Sequence, residues 1–224
     1  MIVIFDLDGT LLNTIDDLGY ACNHALAQTG YPTHPIGAYP AKVGNGINNL
    51  IRRALPENER TEENILRVRA SFVPYYNQHN CDYTKPYSGI PELLAALKAD
   101  GCRLAVASNK YQAATEKIVS RFFPDIFDVV LGEREGVERK PDPQIVFDIL
   151  HALGCQDVHT ADVVYVGDSL VDMQTAANAG VPFVACAWGF VPREQLEAAG
   201  VTRMADVPEQ VIRLINGLAN APKA

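Results

Sequence analysis

Cysteine is sparse in this 224-residue chain, and what there is forms no pattern. The five residues, Cys22, Cys81, Cys102, Cys155 and Cys186, are scattered, odd in number and never spaced as Cys-x-x-Cys. That excludes a disulfide framework and a cysteine-based zinc site. Most stand beside apolar neighbours and are expected as small core fillers. Also missing are any apolar run long enough to cross a membrane and any low-complexity segment. The first residues enter an apolar run at once, with no basic n-region, h-region or small-residue cleavage site, so no targeting segment is expected. There is no excess of positive charge either. The net charge is −8, without the basic stripe of a general nucleic-acid binder. These absences leave a reducing cytoplasm, no membrane and no nucleic acid as the expectations. Acidity alone says little about substrate, because a local cluster of Lys and Arg can still bind an anion.

What is present is enough apolar material, 48% of residues, to bury a full core in one or two domains. The most informative stretch is the opening one. Ile2-Val3-Ile4-Phe5 reads as a buried strand and runs into Asp6-Leu7-Asp8-Gly9-Thr10. Burying charge at the end of a core strand costs several kcal/mol unless a metal or a cationic group compensates it. Asp6 and Asp8, two apart, would point the same way in a strand. Gly9 allows a sharp turn, and Thr10 offers a hydroxyl and an amide at the same opening. An Asp-x-Asp-Gly pair also begins calcium loops and hairpin turns. A calcium loop counted from Asp6 would place Asp17 at its twelfth position. However, the Leu11-Leu12 stretch between offers no oxygen ligand, and the preceding run is strand-like.

After Leu12 the pattern turns helical. Thr14-Ile15-Asp16-Asp17 has the form of a capping box, and Ile15, Leu18, Cys22 and Leu26 follow at helical spacing up to Gly30. Further helices are expected from Ile47 to Leu55, closed by Pro56, and from Thr61 to about Asn80. From Tyr87 onward helix and strand alternate: helices at 91–100, 113–123, 143–153, 170–179 and 208–218, strands at 103–107, 127–131, 161–166 and 182–185. Asp142-Pro143 reads as an N-cap and first-turn proline. Near-continuous apolar strands between helices imply a parallel sheet covered on both faces. The expected fold is therefore α/β: a Rossmann-like core of residues 1–13 and 84–224, with a helical domain, 14–83, inserted after the first strand.

In such sheets ligands bind beyond the carboxyl ends of the strands, so the residues there are read together. They are Asp6, Asp8 and Thr10; Ser108, Asn109 and Lys110; Lys140-Pro141 in a loop; and Gly167-Asp168-Ser169 with Asp172. Taken singly, Ser108-Asn109 could cap the helix that follows, Lys140 could be a solvated lysine, and Gly167-Asp168-Ser169 could be a turn and cap. Taken jointly on one rim, they make a consistent phosphoryl-transfer site.

These four motifs, in this order and spacing, resemble the haloacid dehalogenase superfamily of aspartate-nucleophile phosphotransferases over nearly the whole chain, and the helical insert resembles their small α-helical cap. Val43-Gly44-Asn45-Gly46, Leu50-Ile51-Arg52-Arg53-Ala54-Leu55, Ser108-Asn109-Lys110 and Ala187-Trp188-Gly189-Phe190 are most similar to the phosphoglycolate phosphatases. The resemblance implies a Mg2+-dependent phosphatase of small phosphorylated metabolites. Asp6 would be the nucleophile and Asp8 the acid and base. Asp6, Asp168 and the backbone carbonyl of Asp8 would hold the metal. Thr10, Ser108 and the Asn109 amide would bind phosphate, Lys140 would neutralise the reacting groups, and Asp172 would hold Lys140 or the metal shell in place.

This chain departs from the family at Asn13, where relatives commonly carry an acid, and in the less standard Glu133-Arg134-Glu135-Gly136. In the helical insert, Gly44-Asn45-Gly46 at a helix start, with Lys42, Arg52 or Arg53, could receive a substrate carboxylate, or the glycines could serve only close packing. A phosphomutase would use the same core. A nucleotidase, a pyrophosphatase or a catalytically silent binding protein are the other readings, and a dehalogenase is disfavoured because it needs neither Asp8 nor Mg2+. Neither monomer nor homodimer is favoured by the sequence.

Overall fold

β1 (Ile2–Phe5) supplies four consecutive buried residues, each contributing about 1.5–3 kcal/mol by leaving water. In the computed structural model, which describes residues 1–155 and 162–219, β1 is the middle of a parallel sheet. The chain continues through β2 (Leu12–Asn13), α1 (Ile15–Gln28), α2 (Ile47–Ala54), α3 (Glu62–His79), β3 (Lys85–Pro86) and α4 (Ile90–Ala99). It then alternates through β4 (Arg103–Tyr111), α5 (Gln112–Phe122), β5 (Val129–Glu133), α6 (Gln144–Ala152), β6 (Val163–Gly167), α7 (Leu170–Ala179) and β7 (Phe183–Cys186). α8 (Arg193–Ala198), β8 (Met204–Ala205) and α9 (Pro208–Ala219) follow.

The chain divides into two compact units, Met1–Leu12 with Pro86–Ala224, and Asn13–Lys85. In the first, a six-stranded sheet runs in the order β5-β4-β1-β6-β7-β8, every pairing parallel. Ile2 and Ile4, Ala105 and Ala107, and Val163 and Tyr165 share one face and pack on Ile145, Val146, Ile149 and Leu150 of α6 and on Ala176 and Ala179 of α7. The alternate residues, Val3, Phe5, Leu104, Val106, Val164 and Val166, are equally buried, so both faces are covered, as the unbroken apolar strands implied. The second unit packs α3 against α1 and α2, burying Leu18, Cys22, Leu26, Leu50, Ile51, Ile65, Val68, Phe72 and Tyr76. No described helix is long and apolar enough to cross a membrane.

Several local expectations are corrected. No capping box forms at Thr14: its hydroxyl makes no cap bond. Asp17 instead accepts the Tyr83 and Thr84 N–H groups at 3.0 and 2.8 Å and the Thr84 hydroxyl at 2.7 Å. A carboxylate that can collect three donors from residues far along the chain gains more there than at its own helix start. α6 begins at Gln144, one residue after Pro143, with the Asp142 carboxylate accepting the Gln144 N–H at 2.9 Å. β5 lies two residues later than expected, at 129–133, where it follows β4 as far as Tyr111↔Glu133 across a register shift. Of the expected strand 161–166, Ala161 lies outside the described residues. The six-residue α8 and two-residue β8 are too short to leave a periodic signal. Only Cys22 and Cys186 are fully buried core fillers; Cys81, Cys102 and Cys155 are partly exposed.

Candidate active site

The loops after β1, β4 and β6 meet at one end of the sheet, because parallel strands all present their carboxyl ends there. Asp6 continues the β1 ladder, its N–H donating to the Val166 carbonyl at 2.9 Å. Beyond it the chain turns through Gly9 at φ 90°. A side chain at Gly9 would be strained there, and its Cβ would run into the Asp168 carboxylate, as would one at Gly189. Two glycines thus leave the room in which Asp168 sits.

Lys140 is the hub. Its side chain is 3% exposed, and its Nζ lies 2.8 Å from Asp6 Oδ1, 2.7 Å from Asp172 Oδ1, 2.9 Å from the Ala107 carbonyl and 3.0 Å from the Tyr165 hydroxyl. Its backbone is clamped by Asn109, whose side chain donates to the Lys140 carbonyl and accepts the Lys140 N–H, both at 3.0 Å. The Lys140–Pro141 peptide is cis. Burial by itself would lower the Lys140 ammonium, but Asp172 and Asp6 outweigh it and hold it protonated far above its ordinary range.

Asp172 closes a capping box with Ser169 at the start of α7: the Ser169 hydroxyl donates to Asp172 Oδ2 at 2.6 Å, and the Asp172 N–H donates back to Ser169 Oγ at 3.3 Å. The turn-and-cap reading of Gly167-Asp168-Ser169 thus holds for Ser169. Asp168 accepts the Thr10 hydroxyl at 3.1 Å and the Phe190 N–H at 2.7 Å, and the Trp188 indole donates to the Thr10 carbonyl at 3.0 Å. Asp8 has its own cation: Lys110 Nζ is 2.9 Å from Asp8 Oδ2. Asp6 extends the β1 ladder by one residue and Asp8 bridges to Leu12, and the Asp8 charge adds to the rise of the Asp6 carboxyl.

The cluster is electrostatically unfinished. Burial pushes the Asp6 carboxyl up to about 7, Asp172 adding to the rise against the pull of Lys140. Asp168 is driven well above the carboxylate range by burial, then by Asp172 and Asp6, against the Phe190 N–H and Thr10 hydroxyl. Asp6, Asp168 and Asp172 offer oxygens within 4.8 Å of one another. Asp172 is tied to the Lys140 ammonium and to Ser169, whereas Asp168 meets only neutral donors, the Thr10 hydroxyl and the Phe190 N–H, and Lys140 takes only Oδ1 of Asp6. Asp6 and Asp168 are therefore the better placed for a cation. With all four carboxylates ionised, the two ammoniums would leave two negative charges for a cation to offset, and Asp8 Oδ1 is buried with no partner. An all-oxygen donor set of that charge fits a hard divalent cation.

Of the residues expected at the site, Asp6, Asp8, Thr10, Ser108, Asn109, Lys140, Asp168 and Asp172 all belong to the sheet unit. The Thr10 hydroxyl and Asn109 side chain are engaged on Asp168 and on the Lys140 backbone. Ser108 does not cap α5: its hydroxyl accepts the Lys110 N–H at 3.2 Å, and α5 starts beyond Tyr111 without a side-chain cap. Lys42, Gly44, Asn45, Gly46 and Arg52 belong to the helical unit. There Arg53 donates to the carbonyls of Lys42, Val43 and Gly44 at 3.0–3.1 Å, Lys42 donates to the Arg53 carbonyl at 3.3 Å, and Arg52 pairs with Glu62 at 3.4 Å. The unusual Glu133-Arg134 segment is held by ion pairs to Arg139 and Asp148. Sequence reasoning assigned no role to Lys110, Tyr165, Ser169 or the Phe190 N–H. Lys110 was within reach, since it directly follows Ser108-Asn109; the others act through partners that only folding brings close.

The phosphoglycolate phosphatase of Thiobacillus denitrificans is 33% identical to this chain over 192 residues, 84% of this chain and 83% of that one. The plasmid phosphoglycolate phosphatase of Cupriavidus necator is 32% identical over 228 residues, 99% and 96% of the two chains. Among solved structures, a Lactobacillus delbrueckii subsp. bulgaricus protein provisionally assigned as a phosphoglycolate phosphatase superposes with a TM-score of 0.89 at 33% identity, covering 96% of this chain and 97% of its own. Fold, site and relatives together define the class: a phosphatase. The family model for haloacid dehalogenase-like hydrolases matches residues 3–186, and the chain belongs to that family.

Proposed function

We propose that this phosphatase is a Mg2+-dependent phosphomonoesterase that works through an aspartyl-phosphate on Asp6 and acts on 2-phosphoglycolate or a similar small phosphorylated metabolite. The observation that carries the mechanism is the buried Lys140 ammonium 2.8 Å from Asp6 Oδ1. It offsets the Asp6 charge at a strand end where burial and Asp172 both favour the neutral form. The relatives' names support the substrate.

Asp6, Asp168 and the Asp8 carbonyl would hold Mg2+, which when bound offsets the negative charge of nucleophile and phosphoryl group. Asp6 attacks phosphorus as the bond to the leaving oxygen breaks, and Asp8 gives that oxygen its proton. Asp8 then takes a proton from the water that attacks the phosphorus, releasing phosphate and restoring the Asp6 carboxylate. Lys140 offsets charge on Asp6 and on the transferring oxygens throughout. Asn109 and Asp172 act on the reaction through Lys140, and Thr10 through Asp168, while Ser108 is the side chain left to meet phosphate.

Metal removal tests the site without turnover. In chelated protein the Asp6 carboxyl sits at about 7 against an ordinary 3.8, so the folded state binds more protons than the unfolded one between those values. Stability then falls as pH rises from about 4 to 7. Thermal melts with chelator and with excess Mg2+ are expected to differ more at pH 8 than at pH 5. Equal differences at both values would sink the metal assignment.

Phosphate release from a panel of small phosphomonoesters, with and without Mg2+, tests the substrate. Metal-dependent turnover with a strong preference for 2-phosphoglycolate is expected, and turnover spread evenly over the panel would remove that substrate. Lys42→Ala and Gly46→Ala are expected to reduce kcat/KM for phosphoglycolate more than for a neutral alkyl phosphate, since a recognised carboxylate exists only on the former. An equal loss on both would leave the helical unit without a role in carboxylate recognition.

A further inference from the structure

We infer that Lys110 is the positioning residue for the acid–base group Asp8, an inference that rests on the acid role proposed above for Asp8. Lys110 is the penultimate residue of β4, is only 7% exposed, and its backbone is fixed from three directions. Its N–H donates to Ser108 Oγ at 3.2 Å, its carbonyl accepts the Thr115 hydroxyl at 3.0 Å, and that same carbonyl passes so close to Gly132 that a Cβ there would lie 2.5 Å away. From this anchored start the ammonium reaches Asp8 Oδ2 at 2.9 Å.

The consequence lies in what is left over on Asp8. One carboxyl oxygen is held by a cation, whereas the other, Oδ1, is buried and has no partner. A carboxyl in a flexible turn could present either oxygen and rotate between them. Held at Oδ2, Asp8 presents Oδ1 as the atom that carries the proton to the leaving oxygen. Proton transfer in the transition state requires the donor within hydrogen-bond reach of that oxygen, so fixing Oδ2 fixes the direction of donation. Ser108 gains a second task here, because its hydroxyl orients the Lys110 backbone as well as standing at the phosphate end of the site.

The test is the leaving group. With Mg2+-loaded protein, kcat/KM is measured for glycerol phosphate, whose alkoxide needs a proton, and for p-nitrophenyl phosphate, whose phenolate departs without one. Asp8→Asn is expected to lose far more on glycerol phosphate than on p-nitrophenyl phosphate. Lys110→Met should copy that pattern at smaller size, about 10- to 100-fold against less than about 3-fold, part of what a positioned acid supplies. Lys110→Arg should restore much of the loss, and Lys110→Met should add little in the Asp8→Asn background. Lys110→Gln serves if the Met variant fails to fold. Equal losses on both substrates, or none, would overturn the role of Lys110 while Asp8→Asn keeps its discrimination. If Asp8→Asn itself shows no discrimination, the acid reading of Asp8 falls and this inference with it.

Discussion

Asp6→Asn is expected to lower phosphate release by about 10^4-fold or more, the scale at which a nucleophile acting within a concerted unit is missed. Asn keeps the shape of the side chain and an oxygen for the Lys140 ammonium, so the loss would report chemistry and not collapse of the site. The folded state supports that separation. Asp6 carries a charge the fold disfavours, its carboxyl raised to about 7 by burial and by Asp172. An uncharged Asn removes that repulsion, and the melting temperature of chelated Asp6→Asn should match or exceed that of the parent at pH 8. Rapid mixing with substrate and acid quench should trap phosphate on the parent protein and none on the variant. A variant that retained a tenth of the parent activity would require another nucleophile.

Lys140→Met carries the second large effect, and it falls on stability as well as on rate. The side chains of Lys140 and Asp172 are 3% and 1% exposed, and their 2.7 Å pair excludes water. Removing one partner of such a pair strands the other in the interior and costs about 3–5 kcal/mol, whereas removing both together costs far less. Here one ammonium serves two acids, Asp6 and Asp172, so both are stranded together. Urea denaturation should show a loss in this range for Lys140→Met and a clear recovery for Lys140→Met combined with Asp172→Asn. Turnover should fall by about 100-fold or more in both variants, because the charge opposing the phosphoryl oxygens is gone in each. Stability within 1 kcal/mol of the parent in Lys140→Met would mean that the acids find another counter-charge.

The two experiments separate tasks that the geometry combines. Asp6→Asn leaves the network of Lys140, Asp172, Tyr165 and Asn109 in place and removes reactivity. Lys140→Met removes the network's centre. Asp172, which never has to touch the substrate in this mechanism, is expected to matter through Lys140. Its capping box with Ser169 makes the start of α7 part of the same support.

Much of this was open to reading because it rests on local physics. The period of apolar residues separates strand from helix: Ile2–Phe5 and Val163–Val166 are unbroken apolar runs, and both form central strands buried on each face. Parallel strands put their carboxyl ends on one rim, so residues 100 and more apart in sequence could be gathered onto one list by position alone. Boundaries were less legible. β5 is displaced by two residues, and α8 and β8 are too short to be seen, because pairing with a neighbouring strand or packing on a sheet decides them and neither leaves a periodic trace. The Thr14 capping box has the right letters, but Asp17 takes three donors from residues 83 and 84 instead.

By itself, then, the sequence determined the α/β class, the alternation that makes the sheet parallel, and which residues stand at its carboxyl edge. These follow from side-chain periodicity and chain direction, properties of neighbours along the chain. Tertiary structure decided who pairs with whom on that edge, the resemblance having implied only the place of Lys140 beside Asp6 and Asp172. Lys140 joins Asp6 to Asp172, Lys110 takes Asp8, Asn109 turns to the Lys140 backbone, and Thr10 turns to Asp168. An ion pair depends on where two side chains end in space and on how much water is excluded between them, and both are set by the packing of segments distant in sequence.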